Sequence, residues 1–206
     1  MSPFEFVFAV FGLLLGLAIA ELLGGFARTI KLRRKVRVGW LTPLLGVLVI
    51  LDLMTLWVTA WALRDVVAAN YLTLVAVLTM VGGYYLFATL IFPDDPSEWP
   101  DFDLWYDQHN RLVLGGMLVF NLILIGVALV IAISPHLTGV VEATAVSDGR
   151  RGAPPGMVNR IAGIASLFHL PLLIALIAIK SRRVNIALLA ALIGIILTGA
   201  LASAIA

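Results

Sequence analysis

Glu21, Asp52 and His169 are each the one ionisable residue in the interior of a long apolar run, and Asn121 places an amide in another. Ionisable groups in hydrocarbon are costly and face a partner or a water-filled cavity. A carboxylate and an imidazole at similar depth can exchange a proton, and histidine's ordinary pKa of about 6.5 suits that task. Thr55 and Thr59 follow Asp52 at i+3 and i+7, a polar stripe on one helix face. Asp52, His169, Glu21, Asn121, Thr55 and Thr59 are therefore the candidate residues of an ion or proton pathway. A competing reading takes the same groups as a buried cluster whose hydrogen bonds fix helix register and move nothing. For Glu21 the competing reading is local, because Arg28 lies seven residues on along its own face.

Other chemistries lack their residues. An intramembrane haem needs two histidines at depth, and only His169 is central to a run. Ser166 and His169 share one helix without a glycine-flanked nucleophile or an oxyanion donor. Asp101, Asp103, Asp107 and His109 lack the central glycine and final glutamate of a calcium loop. No phosphate-binding loop or dinucleotide fingerprint occurs. The absence of cysteine excludes disulfides, thiolate chemistry and iron–sulfur clusters. The expectation is a non-enzyme with no cofactor, no metal centre and no nucleic-acid partner.

The elements that position these groups follow from composition. Of 206 residues, 62% are hydrophobic and 13% charged, against about 25% charged in a soluble domain. The apolar residues fall in six blocks, Phe4–Phe26, Trp40–Leu63, Tyr71–Phe92, Leu112–Ser134, Ile161–Ile179 and Val184–Ile205. As helices they cover roughly 28–36 Å each, enough to cross a bilayer. They are apolar on every side, whereas barrel strands alternate, so an all-α membrane protein of six transmembrane helices is predicted. Residues 1–206 form a single polytopic domain, with the lipid bilayer as its first partner. Counted from the basic-loop ends, Asp52 lies about 18 Å deep, His169 about 16 Å, Asn121 about 15 Å and Glu21 about 10 Å.

Basic residues set the orientation. The first loop carries Arg28, Lys31, Arg33, Arg34, Lys35 and Arg37, and the fifth carries Lys180, Arg182 and Arg183. Six spans place both loops on one side, the cytoplasm, with the N- and C-termini extracytoplasmic. Ten of the 14 basic residues fall on that side, leaving Arg64, Arg150, Arg151 and Arg160 opposite. The third loop, on the basic side, packs six acids and three prolines between Phe92 and Asp107. The prolines forbid a continuous helix up to Pro100. From Asp101 a short amphipathic helix is expected, with Phe102, Trp105 and Tyr106 at the interface. The two oppositely charged loops read either as solvated and weakly attracting or as a gate or docking surface. The fourth loop, Pro135–Val158, is expected to be irregular.

Gly24-Gly25-Phe26-Ala27-Arg28, Arg37-Val38-Gly39-Trp40-Leu41 and the segment Phe92–Asp101 resemble segments of small uncharacterised bacterial polytopic inner-membrane proteins. That resemblance implies a bacterial inner (plasma) membrane and no particular activity.

Two wider patterns remain. Each half of the chain reads helix, long loop, helix, short loop, helix, which matches a 3+3 inverted repeat; coincidence of loop length explains it equally well, since the halves share no convincing residue identity. Gly12, Gly16, Ala20 and Gly24 recur every four residues in the first run, as do Ala190, Gly194, Thr198 and Ala202 in the last. Such ridges are expected to pack helices closely, within the bundle or in a homo-oligomer or membrane complex. The leading expectation is a small membrane channel or carrier for protons or small cations. The alternative is a non-catalytic membrane subunit or scaffold that binds partners through these ridges and the charged loops.

Overall fold

The computed structural model describes residues 3–62, 70–95, 99, 101–133 and 157–205. Among them are six helices and no strands: α1 (Pro3–Leu32), α2 (Leu41–Ala62), α3 (Tyr71–Thr89), α4 (Phe102–Ile133), α5 (Met157–Ala178) and α6 (Arg182–Ile205). By length and composition, α1, α2, α3, α4 and α6 can each cross a membrane, and α5 adds a shorter apolar segment, Phe168–Ala178, among the described residues. These features are those of a multi-pass membrane protein. Arg64, Arg150, Arg151 and residues 135–156 of the expected irregular fourth loop lie outside the described residues, and the last two residues of that loop, Met157 and Val158, open α5.

Two helices run past their apolar blocks. α1 continues from Phe26 to Leu32 and so carries Arg28, Thr29 and Lys31 on helix rather than loop. Polar residues do not end a helix unless they compete for its backbone. The expected short amphipathic helix after Asp101 and the span from Leu112 form one continuous α4 of 32 residues. No proline follows Pro100 until Pro135, so nothing interrupts the hydrogen-bond ladder. Helix ends find local partners. Asn70 accepts the Thr73 amide at 2.9 Å as the N-cap of α3.

The helices pack as a ring, α1 along α3, α3 on α4, α4 on α5, α5 along α6, and α6 on α2, with α2 also touching α1 and α4. α2 contributes Leu45, Leu48, Val49, Leu53 and Leu56 to the core and is the most enclosed of the spanning helices. The equivalent pairings of the two halves differ. α1 lies against α3, whereas in the second half the extensive contact is between α5 and α6.

Close contact comes from glycines facing aromatic rings. A Cβ on Gly83 of α3 would stand 2.5 Å from the Phe120 ring of α4, and one on Gly116 of α4 would run into the Phe87 ring of α3. The two contacts are reciprocal. Gly25 likewise faces Phe92, and Gly46 faces Phe26.

The expected four-residue ridges do not serve this purpose inside the chain. Gly16 has nothing within 4 Å of its missing Cβ, Gly24 meets only its own Arg28, and Ala20 is exposed. Gly12 alone touches another helix, through Trp57 at 3.0 Å. On α6, Ala190, Gly194 and Thr198 are exposed, and the Ala202 side chain lies outside the described residues. Of the expected intrabundle ridge Gly12 packs against another helix, and Gly16, Ala20 and Gly24 do not; the closest approaches are made by large aromatics set against Gly25, Gly46, Gly83 and Gly116.

Candidate functional site

Four helices bring one polar side chain each to the middle of the bundle. Asp52 of α2 is 5% exposed and Tyr84 of α3 is 1% exposed. The Tyr84 hydroxyl donates to Asp52 Oδ2. Asn121 of α4 donates through Nδ2 to the Met117 carbonyl at 3.0 Å and reaches Asp52 Oδ2 at 3.4 Å and Oδ1 at 3.5 Å. His169 of α5 places Nε2 4.0 Å from Asp52 Oδ1. That is just beyond hydrogen-bond length, and the buried Nε2 has no hydrogen-bond partner among the described residues.

The carboxyl group of Asp52 is thus held by two neutral donors and faced by one titratable ring. Burying a carboxylate costs heavily unless donors replace its water shell. Tyr84 and Asn121 do so here. The arrangement can hold a proton on Asp52 or on His169, and exchange between them requires the gap to close to hydrogen-bond length. Tyr84 is itself positioned by Phe120, whose ring centroid lies 5.0 Å away. Pro171 lies two residues beyond His169 and cannot donate to the Leu167 carbonyl, which loosens the α5 ladder next to the site.

The surroundings of the site differ along the bundle. Toward the basic loops, the next turns present Leu48, Val49, Leu114, Met117, Leu173 and Leu189, all fully buried. Toward the opposite end, a cavity of about 550 Å³ lies between α1, α2, α3 and α4. Its walls include Phe11, Leu56, Met80, Phe120 and Leu124, and it begins about one turn beyond Asp52.

Depth along the helices brought Asp52, Asn121 and His169 together as expected. It did not find Tyr84. Tyrosine is common at membrane interfaces, so its type alone does not mark a site inside a span. The available signal was position: Tyr84 and Tyr85 lie well inside the third apolar run, next to Gly82-Gly83.

Three other expected members stand apart. Glu21 is paired with Arg28 at 3.0 Å and takes no part in the Asp52 hydrogen bonds. It lies nearer the basic loops, where a flexible cation on its own helix reaches it first. The Thr55 hydroxyl donates to the Leu51 carbonyl at 3.0 Å and that residue is exposed on the outside of the bundle. The Thr59 hydroxyl donates to the Thr55 carbonyl at 2.9 Å and borders the apolar cavity. The threonine stripe is therefore bonded to its own helix and does not extend the polar site.

A second polar region lies at the basic-loop end. The chain around Arg37 pairs with Asp101, the Phe102 amide donating to the Arg37 carbonyl at 3.2 Å. The buried Thr42 hydroxyl donates to the Phe102 carbonyl at 2.9 Å. Asp103 Oδ1 accepts the Leu41 amide at 3.4 Å at the start of α2. Arg182, opening α6, meets Asp107 at 2.6 Å and Asp101 at 3.8 Å. Trp105 donates to the Leu90 carbonyl at 3.0 Å, closing the α3–α4 connection onto itself. The acidic loop is thus joined to the first loop and to α6, which goes beyond weak attraction between solvated loops. Among the described residues, no group of acidic or histidine side chains is arranged to hold a metal ion. Comparison of the chain with protein families, with curated proteins and with solved structures finds no match.

Proposed function

We propose that this chain is a small membrane carrier for protons or small cations, with Asp52 and His169 as the proton-holding pair. The observation that carries the reading is the position of His169 Nε2, 4.0 Å from Asp52 Oδ1 in an apolar bundle. A group of this kind inside a span marks an ion pathway by default. A carrier fits better than an open channel, because buried leucines close the site from the basic-loop end. Passage then requires the helices to move. The proposed setting is the bacterial inner membrane, with both termini extracytoplasmic and the basic loops in the cytoplasm.

The test is proton flux in proteoliposomes holding a pH-sensitive dye. The wild-type chain should move protons under an imposed gradient. Asp52→Asn should abolish the flux, because asparagine keeps the hydrogen bonds but cannot take up a proton at neutral pH. A wild-type chain that passes neither protons nor sodium or potassium would overturn the reading.

A second reading is favoured by one observation. The small-residue ridges at Gly16-to-Ala20 and Ala190-to-Gly194 are exposed on the bundle surface. They suit close approach by another membrane helix, as in a homo-oligomer or a non-catalytic subunit of a membrane complex. In that case the Asp52 cluster serves to pin register, and Asp52→Asn leaves assembly intact.

A further inference from the structure

The cavity beside the Asp52 site has a chemistry of its own. Its walls are apolar except for three threonines. Each of these hydroxyls already donates locally: Thr59 to the Thr55 carbonyl at 2.9 Å, Thr79 to the Val75 carbonyl at 2.8 Å, and Thr73 to Asn70 Oδ1 at 3.2 Å. A buried water needs about 2–4 polar partners, and apolar cavities stay dry. The volume of about 550 Å³ falls within the roughly 300–1,000 Å³ of small-molecule sites. The rim residues Leu72, Ala76, Ile123 and Val127 are exposed on the isolated chain. They belong to α3 and α4, both long and apolar enough to cross a membrane. The cavity is therefore continuous with the surface that meets lipid, at the end of the bundle where α2 ends and α3 begins.

We infer that this cavity is a binding site for one long acyl chain of a membrane phospholipid, entering sideways between α3 and α4. The chain replaces the dispersion contacts that the walls otherwise lack. Its inner end meets Phe120, whose ring lies on Tyr84. The inference depends on the membrane placement of the helices and not on proton carriage, so it can fail or stand separately from the flux measurement.

The experiment uses the full-length chain in detergent and native mass spectrometry. The probes are a phosphatidylglycerol with two oleoyl chains and the same headgroup with two hexanoyl chains. The wild-type chain should retain one long-chain lipid, and an excess of the short-chain lipid should not displace it. Ala60→Phe and Ala76→Phe place a ring in the cavity from two different helices. Each should weaken retention about tenfold, as expected for overpacking a filled site. Leu86→Phe, on the exposed face of α3 away from the cavity, should leave retention unchanged. Displacement by the short-chain lipid would assign binding to the headgroup and overturn the inference. So would full retention by both cavity-filling variants. The displacement arm needs only the wild-type chain, and decides the matter even where a variant fails to fold.

Discussion

The Asp52 site in the middle of the bundle and the Asp101–Asp107 segment at its basic-loop end both join parts of the chain far apart in sequence. Their partners differ in kind. Asp52 meets a tyrosine hydroxyl, an amide and an imidazole, all able to be neutral. Asp103 accepts a backbone amide, and Asp107 meets the guanidinium of Arg182. Deep in the bundle a permanent cation would add its own desolvation cost to that of the carboxylate. At the half-exposed end water screens both charges, so an arginine can be used freely, with little gained per pair. Where water is excluded the chain sets the carboxyl group among partners that carry no permanent charge.

Mutations rank the two regions by that contrast. The largest effect is expected at the centre. Tyr84→Phe removes the hydroxyl that donates to Asp52 and leaves the buried carboxyl group short of a donor, at about 1–3 kcal/mol. Reversible unfolding in mixed micelles should register it, and a loss near zero would mean that Asp52 is satisfied without Tyr84. Next is Thr42→Val, which leaves the Phe102 carbonyl without its buried hydroxyl donor and should cost about 0.5–1.5 kcal/mol in the same assay. If it equalled Tyr84→Phe, the contrast between centre and end would vanish. Arg182→Ala should cost less, about 0–1 kcal/mol, and the difference from wild type should shrink as salt is raised. An effect that persists in high salt would show the Arg182–Asp107 pair to be shielded from water. The smallest effect is expected from Gly16→Leu, whose side chain would enter open space. Stability of the isolated chain should stay within about 0.5 kcal/mol of wild type. A change in oligomer size on sizing columns, without a change in fold, would place a partner on that ridge.

Six apolar runs made six helices legible, because lipid leaves the backbone no partner but itself. Their ends were less legible. The continuation of α1 through Arg28 to Leu32 and the joining of Phe102 to the fourth span both depend on the absence of a breaker, a weaker signal than hydrophobicity. Depth counting found three of the four central side chains, since charge or amide in an apolar run stands out. It also gathered Glu21, Thr55 and Thr59, because depth and facing along a helix say nothing about the nearest competing partner. Arg28 captured Glu21, and backbone carbonyls captured the threonines. Tyr84 was concealed by its type, a residue equally at home at a membrane interface. The role of the glycines is less legible for a related reason. A four-residue spacing shows which face is smooth, but only the neighbouring ring, Phe87 or Phe120, shows which smooth face is occupied.

The reciprocal seating of Phe87 on Gly116 and Phe120 on Gly83 constrains how the protein can move. Sliding α3 past α4 by one residue, about 1.5 Å, would drive each ring off its glycine and into a side chain. The two helices are therefore keyed against shear. Trp105 extends the lock into their connection by holding Leu90, and Asp103 and Asp107 fasten that connection to the starts of α2 and α6. The α3–α4 hairpin is thus fastened at the basic-loop end to three neighbouring elements, the first loop, α2 and α6.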